Sequence, residues 1–138
     1  MSSYGDFNTN LIKDIRANGK ATSGPFVGRE VLILSTRGAR SGEARETPLV
    51  YTRDGDRYVI IASKGGAPTH PHWFHNLQAH PEVTVEAGGE KFKARAEVID
   101  GDDYERLYQH HASINPGFNE YRKQTTRHIP VVVLERIS

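Results

Sequence analysis

Cysteine is absent from the chain, and its absence excludes disulfides, thiolate zinc ligands and thiol nucleophiles. A cysteine-free composition fits a reducing cytoplasm. No apolar run approaches the roughly 20 residues that a membrane span needs. The first six residues contain no basic segment followed by an apolar one, so we expect no signal peptide and a cytoplasmic location. The net charge of +1 provides no general attraction to nucleic acid.

The N-terminal segment is set apart by its pattern from the remainder of the chain. Apolar side chains recur at helical spacing over 7–18, with Asp6 as a candidate N-cap and Gly19 as a stop. We therefore divide the 138 residues into a helix and linker at 1–24 and one domain at 25–138. The helix either covers a sheet or, because it is basic, contacts the inner face of the cell membrane or an acidic ligand.

The larger segment predicts an antiparallel sheet. Hairpin signals at Asp54-Gly55 and Gly88-Gly89 join neighbouring strands, and the first three strands are expected to form a meander. Short strands of this kind tend to close on themselves, which predicts a six-stranded barrel with helices on its flank. The predicted strands are 29–36, 43–53, 58–63, 82–87, 90–100 and 129–137, and the predicted helices follow Pro71 and span 102–112 and 118–123.

A loop rich in glycine follows the third predicted strand. Ser63, Lys64, Gly65 and Gly66 stand at the end of that strand, and a helix begins after Pro71. Glycine allows backbone N–H groups to approach a ligand closely, and a helix N-terminus attracts anions. The loop lacks the spacing of a P-loop. It predicts either an anion site, most often for phosphate, or a solvated loop.

A second turn, between the first two predicted strands, carries three arginines. Arg37, Arg40 and Arg45 flank two glycines there, and guanidinium forks suit phosphate and carboxylate. If hairpins bring this turn close to Lys64, the two turns converge on one polyanion. Otherwise both turns are solvent-exposed ends of hairpins. The histidines at 70, 72 and 75 have neither a nearby carboxylate nor the spacing of a zinc site, so we predict no metal.

Several motifs occur together in order and resemble a known family. They are Thr36–Gly42 (TRGARSG), Arg45–Tyr51 (RETPLVY), Ala62–Ala67 (ASKGGA), Pro71–Leu77 (PHWFHNL) and Thr126–Val131 (TRHIPV). The chain resembles the deazaflavin-dependent nitroreductase family of actinobacteria, which uses coenzyme F420, over about 31–134. The resemblance implies a split β-barrel of flavin-reductase type, and an 8-hydroxy-5-deazaflavin whose phosphate and oligoglutamate tail would explain the basic turns.

The resemblance also implies residue roles. Arg40, Arg45 and Lys64 would meet the phosphate and the tail, Ser63 would donate a hydrogen bond near the reacting ring, and Tyr121 would join it as a catalytic residue. The implied cofactor-binding set is Ala39, Arg40, Ser41, Arg45, Glu46, Thr47, Pro48, Leu49, Val50, Ile61, Ala62, Ser63, Lys64, His72, Trp73, Phe74, His75 and Asn76. The implied acceptor-binding set is Asn115, Phe118 and Tyr121. A core position is the alternative for Trp73.

The implied reaction is hydride transfer from reduced F420 to a quinone, a nitroarene or an activated double bond. The chain departs from the best-known nitroreductases of the family, which have tyrosines at the positions of Asn115, Phe118 and Val50 and an arginine at that of Ala39. The alternatives are an oxidoreductase that uses FMN and a deazaflavin-binding protein without catalysis. Split barrels often dimerise, so a homodimer is also expected.

Overall fold

The computed structural model describes residues 3–137, and side chains from residue 8 onward. The helices are α1 (Ser3–Asn18), α2 (His72–Ala79), α3 (Asp102–Ile114) and α4 (Gly117–Gln124), with a short 3-10 turn at Lys64–Gly66. The strands are β1 (Val31–Arg37), β2 (Ala44–Val50), β3 (Thr52–Asp54), β4 (Arg57–Ile61), β5 (Glu82–Ala87), β6 (Glu90–Ile99) and β7 (Val131–Arg136).

All strands join one antiparallel sheet in the order β2-β1-β5-β6-β7-β4-β3. The predicted antiparallel barrel with flanking helices is confirmed, with seven strands in place of six. The extra strand arises because the predicted strand 43–53 divides at Tyr51. Its first part pairs with β1 and its second with β4, so one bent segment supplies both edges of the sheet.

The predicted meander of the first three strands is confirmed in its pairings, because the predicted strand 43–53 pairs with β1 through β2 and with β4 through β3. β4 also pairs with β7. Both predicted hairpins are present, and Gly55, Gly88 and Gly89 have the positive φ angles that such tight turns require. Pro48 lies in β2, an edge strand, where its missing N–H breaks no sheet hydrogen bond.

Helix α2 fills the interior of the curled sheet. Trp73, Phe74 and Leu77 are at most 6% exposed and pack with Leu32, Ile60 and other inward side chains of the strands. Two adjacent apolar side chains with a third one turn later suit a helix with one buried face. Burying each contributes about 1.5–3 kcal/mol, so this helix is held firmly by its hydrophobic contacts.

The outer face of the sheet is covered by α1 and α3. In α1, Leu11, Ile12 and Ile15 pack against Ile33 of β1, which confirms the prediction of a helix that covers the sheet. The helix begins at Ser3, so the prediction of an N-cap at residue 6 is wrong. Among residues 3–137 no helix is long and apolar enough to cross a bilayer. The boundary at residue 24 stays a prediction.

Buried His111 of α3 is held neutral by its surroundings. Its Nδ1 lies 3.0 Å from Thr52 Oγ1, while its Nε2 has no hydrogen-bond partner within residues 3–137. The ring meets the ring of Phe118 edge-on, with centroids 4.5 Å apart. Burial lowers the pKa of His111 from 6.5 to about 4. The folded protein therefore excludes a proton that the unfolded chain binds.

We predict that His111 makes the protein acid-sensitive. Between pH 6.5 and about 4, the unfolded state binds a proton at His111 that the folded state does not bind. The contribution of His111 to the free energy of unfolding is therefore fully retained above pH 6.5 and falls as the pH drops below that value. From pH 7.5 to pH 5 the parent should lose about 2 kcal/mol more unfolding free energy than His111→Gln. Urea titrations at both pH values measure the difference.

His110→Gln is the matched control, because His110 is the exposed neighbour on the same helix. It should keep most of the parental pH dependence, because burial is the first cause of the lowered pKa of His111 and His110 only the second. Equal losses in the parent and in His111→Gln would contradict the assignment.

Candidate functional site

A cavity of about 780 Å³ opens beside α2, a size that suits a small-molecule site. Its walls come from β2, the end of β4, the N-terminus of α2, α4 and the segment 19–30 that connects α1 to β1. It is lined by Asn8, Pro25, Phe26, Arg29, Thr47, Pro48, Leu49, Val50, Ile61, Ser63, Lys64, Gly65, Pro71, His72, Trp73, Gly117, Phe118 and Tyr121.

The loop after β4 presents a cation in an unusual backbone conformation. The backbone of Ser63 has right-handed helical angles. Lys64 has φ 49°, the only positive φ of a non-glycine residue within 3–137. Gly65 and Gly66 continue with φ 63° and 83°. A right-handed residue followed by a left-handed one, as at Ser63 and Lys64, turns the N–H groups of that step toward one side, which forms a concavity for anions. Lys64 costs about 1 kcal/mol of strain in that conformation.

Arg127 holds this loop in place. Its Nη2 donates to Ser63 O at 2.8 Å, its Nη1 to Ala62 O at 3.1 Å, and its Nε to Ala67 O at 3.1 Å. The same guanidinium reaches His70 Nδ1 at 2.6 Å. Burial lowers the pKa of Arg127, and His70 also has a lowered pKa, first through burial and then through this cation. Four acceptors within 62–70 are thus hydrogen-bonded to one planar guanidinium.

Helix α4 packs against the other side of the loop. A Cβ at Gly66 would lie 2.8 Å from Gln124 Oε1 and 3.1 Å from Tyr121 O, so only glycine fits there. The positive φ of Gly66 has the same requirement. The loop is therefore fixed between Arg127 and α4.

The N-terminus of α2 reaches the same cavity. Pro71 precedes the helix with extended backbone, and no described side chain caps it. Pro71, His72 and Trp73 line the cavity. The first N–H groups of a helix lack partners within the helix and carry its positive dipole end. Together with Lys64 they make this part of the cavity favourable for an anion.

The remaining wall is largely apolar and carries the hydroxyl of Ser63. Leu49, Val50 and Ile61 form an apolar surface beside Trp73, which is 6% exposed and is also part of the barrel core. Ser63 is buried, and its hydroxyl makes no hydrogen bond within the described residues. Such a surface fits a planar ring, with a hydroxyl available at its edge.

Helix α4 contributes an aromatic pair. The rings of Phe118 and Tyr121 meet edge-on at 5.2 Å. Tyr108 beneath them donates to Phe118 O at 2.6 Å, and burial raises the pKa of Tyr108 to about 12. The pair is therefore supported from below by α3, not by loops.

The structure brings together about half of the predicted site residues. Those that line the cavity are Thr47, Pro48, Leu49, Val50, Ile61, Ser63, Lys64, His72, Trp73, Phe118 and Tyr121. Those outside its lining are Ala39, Arg40, Ser41, Arg45, Glu46, Ala62, Phe74, His75, Asn76 and Asn115. All these assignments stay predictions.

The arginine-rich turn lies beside α2, outside the cavity lining. Asn76 Oδ1 accepts from Ala39 N at 2.9 Å, and Asn76 Nδ2 donates to Thr36 Oγ1 at 3.2 Å, which fastens the turn to the helix. Arg40 and Arg45 are exposed, and Arg45 pairs with Glu43 at 3.2 Å. Helix α2 thus contacts the arginine-rich turn through Asn76, while its N-terminus lines the cavity together with Lys64.

The histidines of this region do not assemble a metal site. His70 and His75 rings lie 5.8 Å apart, centroid to centroid. Within residues 3–137 no group of three His, Asp or Glu side chains is arranged to hold a metal ion.

Sequence reasoning missed the cavity wall on the side of α1. Asn8, Pro25, Phe26 and Arg29 belong to that side, and Gly117 begins α4. No motif marked them, because their approach to β2 and α4 depends on how α1 docks. Gly65 and Pro71 also line the cavity without having been assigned to it.

Comparison with known proteins agrees with this architecture. The family model of the F420H(2)-dependent quinone reductases matches residues 9–136. F420H(2)-dependent quinone reductase Rv1261c of Mycobacterium tuberculosis is 44% identical over 108 residues, which span 76% of this chain and 72% of that protein. Putative F420H(2)-dependent quinone reductase Rv3178 of the same species is 30% identical over 103 residues, which span 75% of this chain and 87% of that protein.

Two solved structures share the fold and more than a quarter of the aligned residues. One, described as an F420-H2 dependent reductase (FDR-A), has a TM-score of 0.72 at 34% identity and covers 78% of this chain and 95% of its own. Another, described as a domain-swapped dimer, has a TM-score of 0.74 at 30% identity and covers 96% of this chain and 100% of its own. The match over nearly the whole chain confirms the predicted relationship, and this protein belongs to the F420H(2)-dependent quinone reductase family.

Proposed function

We propose that the cavity beside α2 is where this protein binds reduced coenzyme F420 and a quinone-type acceptor. The protein is an F420-dependent oxidoreductase, and family membership selects F420 over FMN and an enzyme over a passive carrier. The observation that carries the location is the strained Lys64 loop facing the uncapped N-terminus of α2 across an apolar surface.

The residues present fit a phosphate-bearing ring cofactor. The Lys64 side chain, the N–H groups of Lys64 and Gly65, and the first turn of α2 would hold the phosphate, since they supply positive charge or N–H donors at the cavity wall. Reduced F420 supplies a hydride when bound. Leu49, Val50 and Ile61 would hold an apolar ring face and exclude water from it, which strengthens every electrostatic contact there.

The hydroxyls of Ser63 and Tyr121 are the candidate catalytic groups. Ser63 is buried at the cavity wall and rigidly held through its carbonyl, so its Oγ can donate to a ligand with little loss of freedom. Tyr121 lies across the cavity on α4 beside Phe118, and these two would bound the acceptor. Arg40, Arg45 and the Ala39–Ser41 turn are proposed to meet the acidic tail outside the cavity.

Lys64→Ala should bind F420 about tenfold or more weakly, because a hydrogen bond to a charged group contributes about 1.5–3 kcal/mol. Arg45→Ala should have a smaller effect, since Arg45 is exposed and already pairs with Glu43. Fluorescence titration of parent and variants with F420, with FMN in parallel, measures both affinities.

Lys91→Ala is the control, because Lys91 is exposed on β6 and does not line the cavity. Anaerobic oxidation of reduced F420 by a naphthoquinone then tests turnover. Parental F420 affinity in Lys64→Ala would refute the assigned phosphate position, while binding of FMN alone would refute the cofactor.

Arg127→Lys should weaken F420 binding although Arg127 does not line the cavity. A lysine cannot satisfy three carbonyls and His70 in one plane, so the loop should lose its rigid shape, and each unsatisfied buried carbonyl costs about 1–3 kcal/mol. Amide hydrogen exchange at 63–67 should accelerate while exchange in β5 and β6 stays unchanged.

Arg106→Lys is the matched control, since Arg106 pairs with Asp54 and Asp103 on the surface of α3, outside the cavity lining. Uniformly faster exchange across the sheet in Arg127→Lys would indicate a general stability role instead of a local one.

For partners we propose a homodimer and a peripheral contact with an anionic surface. The dimer is supported by the structural neighbour described as domain-swapped. The surface contact is supported by exposed Lys13 and Lys20, because the apolar residues of α1 are already packed on the sheet. Light scattering should give twice the monomer mass, and a monomeric mass would refute the homodimer.

Co-sedimentation with anionic vesicles should fall in the double variant Lys13→Glu/Lys20→Glu. Unchanged co-sedimentation would refute the surface contact.

A further inference from the structure

Arg29 presents a second cation to the cavity, in addition to Lys64. It belongs to the segment that connects α1 to β1, and its Nη1 donates to Asn115 Oδ1 at 2.8 Å. Asn115 is 2% exposed, and its Nδ2 donates to His111 O at 3.4 Å, which sets the direction of its oxygen. Asn115 therefore does not line the cavity; it holds a guanidinium that does.

The donors of Arg29 are largely unused. Within the described residues its side chain makes this one hydrogen bond and no ion pair. A guanidinium offers five N–H donors. By contrast, Arg16 pairs with Glu46 and Glu86, and Arg122 pairs with Glu105. Arg29 thus retains donors that can reach a ligand in the cavity.

The residues that adjoin the two cations lie at opposite ends of α4. Asn115, which holds Arg29, lies two residues before the start of α4, while Gln124 at its end meets Gly66 of the Lys64 loop. An eight-residue helix rises about 10 Å between its ends, so these two contacts are about that far apart along α4. Phe118 and Tyr121 line the cavity between them.

We propose that Arg29 recognises the electron acceptor and stabilises the negative charge that forms on its oxygen, with Asn115 as its positioning residue. This proposal rests on the proposed function. A hydride carries two electrons and one proton to the quinone, so the first product is the quinol monoanion, and a proton from water completes the quinol. A guanidinium does not supply that proton, because arginine side chains are not deprotonated in proteins. Its contribution is electrostatic, like that of an oxyanion-hole donor. The acceptor class is therefore a planar carbonyl compound that becomes anionic on one oxygen.

Arg29→Gln should lower kcat/KM for a naphthoquinone about tenfold or more, mostly through kcat, because the charge forms only during the reaction. Arg29→Lys should recover part of the loss. F420 affinity should equal that of the parent in both variants. The ratio of kcat/KM in the parent to that in Arg29→Gln should stay constant from pH 6 to pH 9, since arginine side chains are always charged in proteins. Arg95→Gln, an exposed arginine on β6 outside the cavity lining, is the control.

Asn115→Ala tests the positioning role. It should lower kcat/KM in the parent but cause little further loss in Arg29→Gln, because the two residues act as a unit. If Asn115→Ala fails to fold, the Arg29 variants still decide the proposal. Parental kinetics in Arg29→Gln would overturn it. An equal loss of F420 affinity would also overturn it and would assign Arg29 to the cofactor. Failure of the parent to bind F420 would instead refute the proposed function.

Discussion

The guanidinium of Arg127 is the contact on which the site depends. It ties three backbone carbonyls and a histidine ring nitrogen from 62–70 into one plane, and the strained backbone at Lys64 is held between this fork and α4. A lysine in a left-handed conformation persists only where its surroundings determine it. The loop therefore presents N–H groups and a cation to the cavity as a fixed surface. Binding of an anion would require little further ordering of the loop.

The second constraint is the division of one segment at Tyr51. Its N–H donates to Glu30 O at 3.0 Å, and its hydroxyl donates to Glu30 at 3.2 Å, while burial raises its pKa to about 12. Because β2 and β3 lie at opposite edges of the sheet, this bend brings the end of β2 toward the end of β4. Thr47–Val50 and Ile61–Ser63 consequently share one cavity, although eleven positions separate Val50 from Ile61 in the chain.

The fold was largely predictable because its signals are local. Alternating apolar residues, paired glycines at 88–89 and helical spacing over 7–18 each describe a few consecutive positions. The site was predictable where residues stand in motifs, such as Ser63 and Lys64. Arg29 and the clamp formed by Arg127 were not, because their partners lie 86 and 57–65 positions away and no local pattern reports such distances.

The sequence by itself determined the element types, the loop chemistry and the family, since propensity, hydrophobic period and motif order are properties of neighbouring residues. Only the tertiary structure decided which cations face the cavity. Lys64 faces it and Arg45 does not, although both adjoin glycine-rich turns. The reason is packing: α2 fills the barrel through its apolar face and thereby sets its N-terminus beside β4, while Asn76 holds the arginine-rich turn on its flank.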